Sequence, residues 1–257
     1  MTEHKREVAE QFGRMSDAYA SSEGHAKGRD LNIVLSVLNP GPRYRVLDVA
    51  TGAGHTAVFL APHVASVLAT DMSDRMIQRA RELAVRNQTH NVSLAIMDAE
   101  QLAVPTGAFD AVTCRIAPHH FESLAAAVHE AVRAVAPDGC LVIEDSCAPG
   151  DPVLDEFTNE MERRRDPTHV RSYTVAEWES CLRAAGFTMV EKHWYRKRHD
   201  FDSWLERAGA DVKARHHVIE HMLGARDDVR SYFEIQYEHD RPVSFTDDKL
   251  IFRAQMA

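Results

Sequence analysis

The stretch Arg45 to Ala61, RVLDVATGAGHTAVFLA, decides how this chain folds. Val46, Leu47 and Val49 form a short apolar run suited to a strand covered on both faces, and the run ends at a carboxylate, Asp48. Ala50, Thr51, Gly52, Ala53 and Gly54 follow with almost no side-chain bulk, and a helical pattern begins at His55. Glycines let a chain turn sharply and let a ligand approach the backbone, so strand, small-residue loop and helix together predict a nucleotide-binding corner. A tight turn with no ligand, or a dinucleotide site, has the same spelling at this point.

Outward from that corner, strands and helices alternate. Ser66 to Thr70 reads as a strand ending at Asp71, and Ser73 is placed to cap a helix through Met76, Ala80 and Leu83. Val92 to Met97 is a third strand ending at Asp98, Phe109 to Ile116 a fourth, Leu124 to Val135 a helix, and Cys140 to Ile143 a fifth strand ending at Glu144 and Asp145. Alternation of this kind predicts an α/β fold, Rossmann-like and doubly wound, with a mostly parallel sheet whose ligands bind at the carboxyl ends of its strands. Phe187 to Tyr195 and Val243 to Phe252 complete a seven-stranded sheet, and a capping box at Thr174-x-x-Glu177 opens a helix that Gly186 closes. A single domain over 1–257 is expected, with a helical cap made of N-terminal helices at about 1–40 and insertions at about 151–185 and 201–233.

Composition narrows the partners. A formal net charge of −9 disfavours nucleic acid, whose affinity comes from clustered cations, and points to a small-molecule acceptor. The runs Arg163 to Arg165 and Arg196 to Arg198 read as solvated faces. No apolar stretch reaches the length of a membrane span, the charged start lacks a secretory core, and a cytoplasmic, membrane-free protein is expected; its oligomeric state is not legible. The four cysteines show no metal-binding spacing, and no metal is expected. His217-x-x-Glu220-His221 spells a zinc-protease motif, but without an evident third ligand it reads as a chance product of a charged helix.

Each strand end thus carries a polar group, and buried carboxylates in a row need donors such as ligand hydroxyls and amines. The segments VLDVATGAG, ATDMS and MDAEQLAVPTGAFDAVTCR resemble class I S-adenosylmethionine-dependent methyltransferases, the small-molecule enzymes of the ubiquinone and menaquinone biosynthesis type being most similar. The resemblance, which spans about Ser16 to Gly186, implies an antiparallel last strand and S-adenosylmethionine as cofactor. It implies a cofactor set of Ala50, Thr51, Gly52, Gly54, Asp71, Met72, Asp98, Ala99 and Arg115. Gly52 and Gly54 would approach the methionine and ribose part, Asp71 would accept from both ribose hydroxyls, and Asp98 with Ala99 would take the adenine. Where the family has the first glycine of its loop this chain has Ala50, so an ordinary backbone conformation is expected there.

For catalysis, similar O-methyltransferases pair a histidine after the fourth strand with an aspartate ending the fifth. The positions that match are His119 and Asp145, imidazole as general base and carboxylate as its orienting partner. Tyr19, His25, His120, Arg164, Arg171 and Tyr173 are candidates to bind the acceptor, and arginines would suit an acidic one. The alternatives to a methyltransferase are a non-catalytic protein that binds the same cofactor and, on the letters Gly52-Ala53-Gly54-His55-Thr56-Ala57 alone, a nicotinamide oxidoreductase.

Overall fold

Strand order and direction follow from where the apolar runs must be buried. The structure, a computed structural model, describes residues 1–21 and 28–257, with the side chains of 18–21 left aside. Helices α1 (Glu3–Ser21) and α2 (Arg29–Leu38) precede β1 (Arg45–Val49), in which Val46 to Val49 are all buried. Then come α3 (His55–Leu60), β2 (Ser66–Asp71), α4 (Asp74–Arg86), β3 (Val92–Ile96), β4 (Phe109–Arg115), α5 (Leu124–Ala134) and β5 (Val135–Ser146). The second half holds α6 (Pro152–Arg165), α7 (Val175–Ala184), β6 (Phe187–Asp200), α8 (Phe201–Arg207), α9 (Val212–Leu223), α10 (Asp227–Tyr232), β7 (Gln236–Glu238) and β8 (Arg241–Met256). Ser73 Oγ caps α4 by accepting from the Met76 amide, and Thr174 with Glu177 forms a reciprocal capping box on α7.

The sheet runs β3-β2-β1-β4-β5-β8-β6, with β7 pairing β8. The first five strands in this order pair in parallel; β8 is antiparallel to β5, β6 and β7. The sheet therefore has eight strands, one more than the apolar runs indicate, because the three residues of β7 are too short to show alternation. β6 runs five residues past Tyr195, carrying the Arg196 to Arg198 run into the sheet.

One core cluster on β1, β4 and β5, including Leu47, Val112, Leu141 and Trp178, packs under α5 and α7. Val34, Val46, Leu60 and Val142 belong to another, on the α2 and α3 side, as expected for a sheet covered on both faces. A third cluster joins Phe157 and Met161 of α6 to Trp204, Met222, Phe233 and Phe245, so the helices of the second half carry an apolar core of their own beside the sheet. Among the described residues, no helix is long and apolar enough to cross a membrane.

Candidate active site

Two adjoining cavities open at the carboxyl ends of the central strands, one against α1 and the other against α6 and α8. The first encloses about 1050 Å3, counting its open mouth, between the loop after β1, the ends of β2 and β3, and α1. Ala50, Thr51, Gly52, Asp71, Met72, Asp98, Ala99 and Arg115, all expected at the cofactor, line it. Gly54 does not; a Cβ there would stand 2.8 Å from Ala80 Cβ, so this glycine brings α3 against α4. Gly52 faces the other way, with no atom within 4 Å of a Cβ built on it. That open space is what a ligand pressed against the backbone requires.

Ala50 departs from expectation. Its φ is +51°, in the left-handed region, so the residue keeps the backbone of the glycine it replaces rather than adopting an ordinary conformation. The physical reason is the anchoring on both sides. Asp48 accepts the hydroxyls of Thr51 at 2.5 Å and Thr113 at 2.7 Å, and the Thr51 amide donates to the Thr70 carbonyl at 2.8 Å, forcing the turn between them.

Asp71 accepts from the Gly52 amide at 2.9 Å and the Ser73 amide at 2.8 Å, which uses two of the roughly four acceptor positions of a carboxylate. Burial pushes its pKa up to about 6 despite those donors; burial does the same to Asp48, also to about 6. Asp98 accepts from the Glu100 amide at 2.9 Å and pairs with Lys5 of α1 at 2.7 Å, and Lys5 also reaches Glu100 at 3.0 Å. Val8, Phe12, Met76, Met97 and Phe121 supply apolar walls. N-terminal helices are expected in the cap from the sequence, but none of these α1 side chains is named there. The amphipathic pattern of α1 was the available signal, but periodicity does not say what an apolar face covers.

Arg115, in the lining of this cavity, is also held by ion pairs. Its guanidinium pairs with Asp30 of α2 and, at 2.8 Å, with Glu144, which also accepts from the Tyr195 hydroxyl at 2.7 Å. This group ties α2 to β4, β5 and β6.

The second cavity, about 710 Å3 with its mouth, is polar and shares Ile116 and His120 with the first. Parallel pairing sets Arg115 of β4 opposite Glu144 of β5, so the turn Pro118–His120 lies over Asp145. There His119 Nδ1 meets Asp145 Oδ1 at 2.6 Å, while the His119 amide donates to Oδ2 at 2.9 Å. An ionised carboxylate only accepts, which assigns the proton to Nδ1 and leaves Nε2 as the acceptor; Nε2 forms no hydrogen bond among the described residues. Burial lowers the His119 pKa, but the Asp145 charge and hydrogen bond outweigh it and the net shift is upward. His120 instead sends Nδ1 to the Thr168 carbonyl at 3.0 Å, and burial, then the charge of His119, hold it below its ordinary pKa.

Glu162, Arg165, His169, Lys197, His199, Arg207, Asp247 and Lys249 also line this chamber. Arg164 and Arg171 line neither cavity: Arg164 pairs with Glu160 one helical turn away at 2.8 Å, and Arg171 with Asp155 and Glu177, both at 2.8 Å. Tyr173 packs edge-on against the buried Trp178, also outside both linings. The Tyr19 side chain and His25 lie outside the described residues. In the His217-x-x-Glu220-His221 segment, His221 Nε2 bonds the Phe157 carbonyl at 3.0 Å and its ring stacks on Phe157, while Glu220 pairs with His216 at 3.2 Å.

The chamber residues of β6 and β8 escaped the sequence reading. Along β6 alternate side chains face opposite ways, and Lys197 and His199 stand on the chamber side while Arg196 and Arg198 do not. Read as a block, Arg196 to Arg198 resembled a solvated face; period two was the signal that separates them.

Comparison with known proteins places this geometry. Residues 5–192 match a family model described as a methyltransferase domain. YcgJ of Bacillus subtilis (strain 168), named as an uncharacterized methyltransferase, is 34% identical over 235 residues, covering 91% of this chain and 93% of that one. The crystal structure of YcgJ superposes with a TM-score of 0.84 at 32% identity, over 88% of this chain and 98% of the other. BH2331 of Bacillus halodurans C-125 gives 0.86 at 32% identity over the same shares. UbiE of Ectopseudomonas mendocina (strain ymp), a ubiquinone/menaquinone biosynthesis C-methyltransferase, is 30% identical over 151 residues, 57% of this chain and 58% of that one.

Proposed function

The chain belongs to the S-adenosylmethionine-dependent methyltransferases, and we propose that it methylates a small-molecule acceptor seated in the polar chamber, with His119 as general base. One observation carries the reading. The carboxylate-lined cavity and the chamber holding the His119–Asp145 pair share a wall, Ile116 and His120, where an acceptor on one side can meet a cofactor on the other.

The first cavity suits the cofactor on its own features. Gly52 leaves open space for a ligand at the backbone, Asp71 has acceptor positions to spare for the two ribose hydroxyls, and Asp98 with Ala99 can receive the adenine amine among Met97 and Phe121. When bound, S-adenosylmethionine supplies an electrophilic methyl group that a nucleophile attacks in line, so the protein's task is to align the acceptor and exclude water. Val8 and Phe12 of α1 add apolar surface to the cavity wall. His119 Nε2 would take the acceptor's hydroxyl or amine proton as the bond to carbon forms. Asp145 would hold the ring in the Nδ1–H tautomer and stabilise the imidazolium.

Calorimetric titration with S-adenosylmethionine, S-adenosylhomocysteine and NAD, repeated on Asp71→Ala, tests the cofactor half. The first two should bind the parent and weaken at least tenfold in the variant, with NAD silent. Binding of NAD alone would overturn the reading.

A further inference from the structure

The chain carries a net charge of −9, yet the described lining of the polar chamber holds four cationic side chains, Arg165, Lys197, Arg207 and Lys249, against three carboxylates. The carboxylates are already engaged. Glu162 pairs with Arg165 at 2.6 Å; Asp247 lies 2.8 Å from Lys249 and 2.9 Å from His199; Asp166 accepts from Gln11 at 2.7 Å and from the Thr168 hydroxyl at 2.6 Å. Lys249, buried, also donates to Ser146 at 2.6 Å.

Lys197 is left over. It is half-buried, stands on β6 directly opposite Asp247 of β8, and has no ion pair or hydrogen bond among the described residues, because Lys249 takes the carboxylate it faces. Burial, and then the neighbouring Lys249, lower its pKa, and the charges of Asp247, Asp30 and Glu144 offset this only in part. An unpaired ammonium turned into a cavity is costly unless something anionic arrives with the ligand.

We propose that the acceptor bears an oxyanion, a carboxylate or a phosphate monoester, which the Lys197 ammonium holds while its hydroxyl is presented at the Ile116–His120 wall. This rests on the chamber being the acceptor site. An oxyanion balances the surplus charge of the lining and gives the lysine the charge-assisted bond the protein withholds. Lys197 would then select among acceptors rather than take part in proton transfer, and the clean separation of the two tasks follows from geometry: the base sits in the turn after β4, the anchor on β6.

The test uses protein saturated with S-adenosylhomocysteine and three probes, 4-hydroxybenzoate, phenyl phosphate and 4-hydroxybenzamide, followed by chemical-shift perturbation. At least one oxyanion probe should bind tenfold or more tighter than the neutral amide. That preference should vanish in Lys197→Met and persist in Lys197→Arg, with S-adenosylhomocysteine affinity unchanged in both. The stronger of the two oxyanions identifies the source of the charge. Equal binding of all three probes to the parent, or a preference that survives Lys197→Met, would overturn the proposal. Failure of S-adenosylhomocysteine to bind at all would instead strike the methyltransferase reading beneath it.

Discussion

The carboxyl of Asp71 offers a quantitative handle on cofactor recognition. It is buried, its pKa stands at about 6, and only its charged form can accept on both oxygens from two ribose hydroxyls. Binding stabilises the carboxylate, so the bound pKa falls below the free one and the ligand drives a proton off. Affinity should therefore be flat above about pH 7 and fall as pH drops through 6, reaching about tenfold weaker, or 1.4 kcal/mol, at pH 5. The amine and carboxylate of S-adenosylhomocysteine keep their charges between about pH 5 and 7, so the ligand adds no slope of its own. Asp48, likewise at about 6, anchors the same loop through Thr51 and can add a second proton to the slope. Titration calorimetry of S-adenosylhomocysteine at pH 5, 6 and 7.5, in buffers of differing ionisation enthalpy, reads both the affinities and the protons released. Asp71→Asn should weaken binding about 10- to 100-fold at pH 7.5, the worth of lost charged hydrogen bonds, and should remove one proton from the linkage. A dissociation constant unchanged from pH 5 to 7.5 with no proton release would refute the reasoning.

Other outcomes follow from the same contacts. Asp145→Asn should lower methyl transfer by about 10²- to 10⁴-fold through loss of the Nδ1–H tautomer, leaving cofactor affinity within threefold; a rate near the parent value would remove the base. In the parent, rate should rise with pH through an apparent pKa above about 6.5, since His119 must be neutral and Asp145 raises its pKa; any residual activity of Asp145→Asn should titrate at lower pH. Glu162, which raises His119, and Lys249, which lowers it, remain in both. Ala50→Gly, relieving a φ of +51°, should stabilise the fold by about 0.5–1 kcal/mol, a rise of roughly 1–4 °C in Tm by calorimetry, whereas Ala50→Val should lower it. Gly54→Ala, with φ at +86° and its Cβ against Ala80, should lose about 1–3 kcal/mol.

What was legible in the sequence was what buried parallel strands impose. Apolar runs that end in Asp71, Asp98 and Asp145 announce both the sheet and the edge where ligands bind, because a strand covered on both faces leaves its polar residues to its ends. The His119–Asp145 pairing was implied by the family resemblance, and the register of β4 on β5, with Arg115 opposite Glu144, brings the two side chains together. Illegible features depended on partners that no local pattern names. Arg115 lines the first cavity as expected, but its pairing with Asp30 and Glu144 could not be read from the sequence, and Arg164 and Arg171, expected at the acceptor, line neither cavity and pair with nearby carboxylates. Lys197 was hidden in a basic run until the register of β6 on β8 separated it from Arg196 and Arg198. Ala50 shows a further limit: neighbours pinned by Asp48 and Thr70 dictate its backbone more strongly than its own preference does.

The account is tested most directly by a crystal structure with S-adenosylhomocysteine bound. Both ribose hydroxyls should lie on Asp71, the adenine beside Asp98 and Ala99, and the sulfur toward the Ile116–His120 wall that opens on His119. A nucleoside seated away from Asp71, or a sulfur turned from the chamber, would contradict it.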